Sequence, residues 1–115
     1  MLIALAGSAG AVTRFLVDGA VRWRTAGAFP WATLAINVTG SLLLGCLAGA
    51  FTDPANNWRL VVGVGFCGGY TTFSTASFET VRLVQQGRYR AAVAFGGGGL
   101  VACVVAAATG WALTS

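Results

Sequence analysis

Ten charged side chains in 115 residues leave four uninterrupted uncharged runs, residues 1–13, 25–52, 60–78 and 91–115. A helix rising 1.5 Å per residue needs roughly 20 apolar residues to cross a hydrocarbon core of about 30 Å. With their flanking residues the runs predict four helices, over residues 2–21, 31–51, 59–83 and 91–113. The fold class is therefore an all-α integral membrane protein, with residues 1–115 forming a single transmembrane domain. The connections fall near 22–30, 52–58 and 84–90, marked by Gly27, Pro30, Asp53-Pro54 and Gly87.

The first helix is the least regular, because it carries Arg14 and Asp18. Four residues apart, they share one helix face and are expected to pair near the membrane surface. A cleaved leader fits poorly, since no basic stretch precedes the apolar one and Arg14 interrupts it. The helix is expected to be retained.

The charge inventory also excludes whole classes of function. There is no histidine and no lysine, and the carboxylates Asp18, Asp53 and Glu79 stand singly. Paired-carboxylate sites, triads and histidine–metal clusters have nothing to form from, so an enzyme is not expected. The seven arginines do not cluster with aromatics as a nucleic-acid footprint would, and no nucleic-acid partner is expected. Cys46, Cys67 and Cys103 lie in three different runs and read as free thiols that pack as small hydrophobes. The 17 glycines suit close helix approach in lipid, as at Gly40 and Gly45 with Ser41. The Gly96–Gly99 run fits such packing too, and would equally loosen its helix.

Arginine placement gives an orientation. Loops after the first and third spans carry Arg22, Arg24, Arg82, Arg88 and Arg90, and the opposite side carries Arg59 alone. A positive-inside bias of five to one places both termini outside the cytoplasm of a plasma-membrane protein.

Two polar features interrupt the apolar spans. Residues 63–78 hold four glycines and five serine or threonine hydroxyls, with Gly68-Gly69 at the centre of a charge-free run. Such a stretch either breaks its helix, freeing carbonyls toward a polar cavity, or forms a packing seam on an intact helix. Asn37 in the second span must also find partners, whether as interhelical glue or as a donor to a passing ion. Hydroxyls, an amide and the electropositive edges of phenyl rings favour a small anion over a metal cation.

Three blocks then resemble a known family. They are Ala6-Gly7-Ser8-Ala9-Gly10-Ala11-Val12-Thr13-Arg14-Phe15, the second-span stretch Thr33-Leu34-Ala35-Ile36-Asn37-Val38-Thr39-Gly40-Ser41, and Gly65-Phe66-Cys67-Gly68-Gly69-Tyr70-Thr71-Thr72-Phe73-Ser74-Thr75. In this order they are similar to the signatures of the CrcB/Fluc fluoride channels, and the third is the most specific. The resemblance implies a fluoride-selective channel for passive efflux of toxic fluoride, formed by an antiparallel dimer with two pores. It implies a structural sodium ion at the dimer centre, held by the carbonyls of Gly68 and Thr71 at the break of the third helix near Gly68-Gly69. It places the pore amide on Asn37, the anion-facing ring on Phe73 and polar contacts on Ser74 and Thr75.

Two positions depart from the family pattern. Ala76 stands where a second phenylalanine is usual, and Phe78 lies about 200° further around a helix. Residues 91–108 contain no Ser, Thr or Tyr where the family carries a fourth-span hydroxyl. An antiparallel homodimer also needs nearly balanced loops, which a five-to-one bias does not provide. Beside a homodimer stands a heterodimer in which an oppositely biased homologue supplies the missing pore residues. The competing functions are a non-transporting membrane scaffold and a small four-helix exporter; the latter needs a membrane carboxylate, and the first span offers only Asp18.

Overall fold

The computed structural model describes residues 1–24, 29–51, 53, 56–71 and 73–115; Gly27, Pro54 and Thr72 lie outside the described residues. Every regular element among them is helical. Helix α1 spans Leu2–Arg24 and α2 spans Trp31–Ala50. The third span is two helices in line, α3 over 57–70 and α4 over Phe73–Gln85. Helix α5 spans Tyr89–Thr114. The long axis of the molecule is 45 Å, matching the roughly 40–45 Å of a bilayer with its headgroups.

Helices α1, α2 and α5 are each long and apolar enough to cross a membrane. Neither α3 nor α4 reaches 18 residues, and they cross only as a pair. Their junction is Thr71, whose extended backbone (φ −81°, ψ 158°) stops the α3 ladder. Gly68, Gly69 and Tyr70 are still helical. The interruption therefore falls just after the glycine pair, and an intact third helix is excluded.

Local signals set the other ends. Pro30 precedes α2, where its missing N–H costs nothing. The Asn56 side-chain oxygen accepts hydrogen bonds from the backbone N–H groups of Trp58 (2.9 Å) and Arg59 (3.3 Å), capping α3. Gly87 ends α4 with φ 75°, while Gly87 N–H bonds Val84 C=O (3.0 Å) and Arg88 N–H bonds Leu83 C=O (2.9 Å). This is the Schellman arrangement, which needs a left-handed residue. Gly87→Ala is expected to cost about 1 kcal/mol without altering the spans, as a lowered unfolding midpoint in detergent would show.

Two glycine seams hold the spans together. Along α1 and α3, Gly10 lies under the Phe66 carbonyl, Gly65 against Ile3 and Ala6, and Gly69 against the Gly7 carbonyl. Along α2 and α5, Gly45 meets Ala107, and Gly49 meets Trp111 and Thr114. Gly110 meets Leu42 and Cys46 from the other side. Small residues let these backbones touch, which is what drives association in lipid. Gly40 and Gly45 thus act as packing glycines. The Gly96–Gly99 run divides: Gly96 and Gly99 face Thr80 and Leu34, whereas Gly97 and Gly98 face open space. Ala94–Gly98 winds as a wider π-type turn, so the run also loosens its helix.

The expected Arg14–Asp18 pair does not form. Asp18 is held by Arg22 instead, at 2.9 Å, on the next turn. An acidic residue four positions before a basic one is the favoured order on a helix, and Arg14–Asp18 has the reverse order.

Candidate functional site

A cavity of about 580 Å³ lies between α2, the α3–α4 junction and α5. Helix α2 contributes Leu34, Asn37, Ser41 and Leu44. Their spacing of three or four residues is one helical face. Helix α4 contributes Phe73, Ala76, Ser77 and Thr80, the junction Cys67 and Thr71, and α5 the face containing Phe95, Gly99 and Cys103. The walls are mostly apolar, with a few polar groups converging from three spans, as small-ligand sites commonly are.

Two contacts fix the register of α2 against the third span. At one end the Thr33 hydroxyl donates to Glu79 Oε1 (2.6 Å). At the other, Gly40 packs against Tyr70 and Thr71. Thr39 Oγ1 lies 2.7 Å from Ala35 C=O and 2.8 Å from the Tyr70 hydroxyl. With the threonine proton directed at the carbonyl, the tyrosine is the donor, and it ties the last turn of α3 to α2.

The residues singled out from sequence separate into two groups. Asn37, Thr71 and Phe73 meet on the one cavity, although distant in sequence. Phe73 stands at its rim, 87% exposed. Ser74 and Thr75 are exposed and do not line it. Thr75 instead faces a second cavity of about 370 Å³ with Arg22, Phe78, Glu79 and Arg82. Phe78 therefore serves a different space from Ala76, in keeping with its angular displacement on the helix. Gly68 is exposed, with nothing within 4 Å of where a Cβ would stand.

The second cavity is polar at its floor. Glu79 accepts from Thr33 and lies 3.7 Å from the Arg22 guanidinium. These contacts join α1, α2 and α4 where Arg22 and Arg82 gather. The carboxylate is thus flanked by a cation and a hydroxyl donor.

Ser41, Ser77, Phe95 and Cys103 line the cavity and were not among the site residues singled out from sequence. Ser41 and Ser77 carried a signal, since each lies one turn beyond a singled-out residue, Asn37 or Phe73. Cys103 is the polar group that α5 presents among the described cavity residues, a weak thiol donor. Phe95 is buried and stands edge-on to Phe29 at 5.8 Å. It packs with Ala76 in one apolar cluster, so the small residue at 76 leaves room for a ring from α5.

The break also fits the chemistry of a hard cation. The Cys67 carbonyl is already taken by Thr71, through its N–H (2.9 Å) and its hydroxyl (2.7 Å). The carbonyls of the last turn lie beyond the end of the ladder. With Gly68 at an open surface, such oxygens would suit a monovalent ion.

A membrane protein with a broken third span and a small neutral cavity across the break is what the fold and site define. The chain belongs to the CrcB family: residues 1–111 match the family described as CrcB-like protein, Camphor Resistance (CrcB). It is 48% identical over 114 residues to fluoride-specific ion channel FluC 1 of Leifsonia xyli, covering 96% of this chain and 82% of that one. It is 44% identical over 117 residues to fluoride-specific ion channel FluC of Nitrobacter winogradskyi, covering 96% and 90%.

Proposed function

We infer that this chain is a subunit of a fluoride-selective channel through which fluoride leaves the cytoplasm passively. The observation that carries this reading is the meeting of Asn37, Phe73 and Thr71 on one cavity at the break of the third span, in a chain whose relatives are named fluoride-specific channels. The relatives are named as channels and not as enzymes.

Fluoride is small and strongly hydrated, so its route must replace water hydrogen bonds. The Asn37 amide supplies N–H donors and the Phe73 ring supplies an electropositive edge. Ser74 and Thr75, on the exposed side of α4, contact the ion where a second subunit covers them. The cavity wall carries no Asp or Glu among its described residues, so no fixed negative charge repels an anion there. Arginines at the cytoplasmic end attract the anion to the mouth.

The assembly is an antiparallel dimer in the plasma membrane, with a structural sodium ion held by the Gly68 and Thr71 carbonyls. That ion supplies fixed positive charge and a link between subunits. Both termini of this chain lie outside the cytoplasm, and its partner is an oppositely biased homologue. Three features support the heterodimer: the five-to-one arginine bias, Ala76 in place of a second phenylalanine, and the absence of Ser, Thr and Tyr from residues 91–108.

Growth of fluoride-sensitive bacteria tests this reading. The chain together with an oppositely biased homologue is expected to restore growth in fluoride, and the chain alone is not. Restoration by the chain alone would overturn the heterodimer and uphold the channel. Failure of every combination, with the proteins present in the membrane, would overturn the channel.

A further inference from the structure

We propose that Ser41 and Ser77 are anion-contacting, selectivity-determining residues, the hydroxyl donors on either side of Asn37 and Phe73. The inference rests on the channel reading and deepens it. It comes from following each hydroxyl proton of the cavity to its acceptor.

Among the described residues, four hydroxyls line the cavity, on Ser41, Thr71, Ser77 and Thr80. Thr71 donates to Cys67 C=O at 2.7 Å and Thr80 to Ala76 C=O at 2.8 Å. Thr13, Thr39 and Thr109 do the same four residues back on their own helices. A hydroxyl has one proton. Once it is directed at a carbonyl, the threonine turns only oxygen lone pairs to the cavity, which repel an anion. Ser41 and Ser77 make no side-chain hydrogen bond among the described residues, so their protons remain for a ligand.

Their positions follow from the antiparallel register fixed by Thr33–Glu79 and by Gly40 against Tyr70 and Thr71. Ser41 lies on α2 four residues past Asn37, at the level of the break. Ser77 lies on α4 four residues past Phe73, toward the arginine-rich end. Each step is about 6 Å along the helix. An anion moving between them always has a donor within one turn.

The test is fluoride and chloride release from liposomes carrying the assembled channel with Ser41 or Ser77 replaced. A hydrogen bond to a charged partner is strong enough that Ser41→Ala and Ser77→Ala should each slow fluoride release by about tenfold. Elution as an assembled dimer should be unchanged. Ser41→Thr and Ser77→Thr keep a hydroxyl but turn its proton inward, so they should slow release like alanine; a purely structural hydroxyl would tolerate them. Fluoride release at the unsubstituted rate in both alanine variants, with the Asn37→Ala channel silent, overturns the proposal and leaves the channel reading standing. An unsubstituted assembly that releases no fluoride overturns that reading itself, and the proposal with it.

Discussion

Liposomes carrying Asn37→Ala are expected to release fluoride at least about tenfold more slowly than the unsubstituted assembly, a barrier increase of about 1.4 kcal/mol. Asn37 stands half-buried on the α2 face of the cavity, opposite the Phe73 rim and beside the break. Its amide is the strongest neutral donor group that α2 presents there. Alanine removes the amide from a space with few other donors, so a dehydrated anion is less well held there. Asn37→Asp should be more damaging, since it sets an anion in the path of an anion. A fluoride electrode reads both, and size-exclusion elution separates loss of conduction from loss of assembly. Unchanged release in Asn37→Ala would remove the residue from the route.

The second large effect is structural. Gly10→Leu or Gly69→Leu is expected to destabilise the fold by about 3 kcal/mol or more, because overpacking here meets backbone and not a flexible side chain. A Cβ on Gly69 would collide with the Gly7 carbonyl oxygen, and one on Gly10 with the Phe66 carbonyl. Neither helix has room to yield without opening the α1–α3 seam, and that seam anchors the half-helix leading to Thr71. Gly19→Leu is the matched control, since nothing lies within 4 Å of its would-be Cβ. Aggregation on heating in detergent should move sharply for the first two variants and scarcely for the third. Equal behaviour of all three would mean that the seam does not hold the fold.

The spans were legible from charge alone, because carrying an unpaired charge into hydrocarbon is costly enough to make uncharged runs and helices nearly coincide. The expectation of 31–51 meets Trp31–Ala50, and that of 2–21 runs on to Arg24 because Arg22 finds Asp18 and Glu79. The interruption of the third span was legible in place but not in cause. Gly68-Gly69 does not itself unwind; Gly69 is small because α1 passes over it, and the extended residue is Thr71. Composition marks where small residues gather without saying which backbone comes close.

The site was legible in part for a related reason. Asn37 could be singled out because an amide stands apart in apolar sequence, and Phe73 only through the family resemblance. Ser41 and Ser77 carried only their helical spacing from those two, and it takes the tracing of each hydroxyl proton to its acceptor to set them apart from the threonines. Nothing in the sequence links Phe95 to Ala76, and only the fold brings them into one cluster. Pairing partners were the least legible, as Arg22 shows: two residues four apart on either side of Asp18 offered themselves, and only helix direction chose between them.

Release of fluoride against chloride from liposomes holding the assembled dimer, driven by a potassium gradient with valinomycin, tests the central claim most directly. Rapid, complete fluoride release with chloride retained is the expected result. Retention of fluoride, or release of both halides at similar rates, would contradict a fluoride-selective route through the cavity of Asn37 and Phe73.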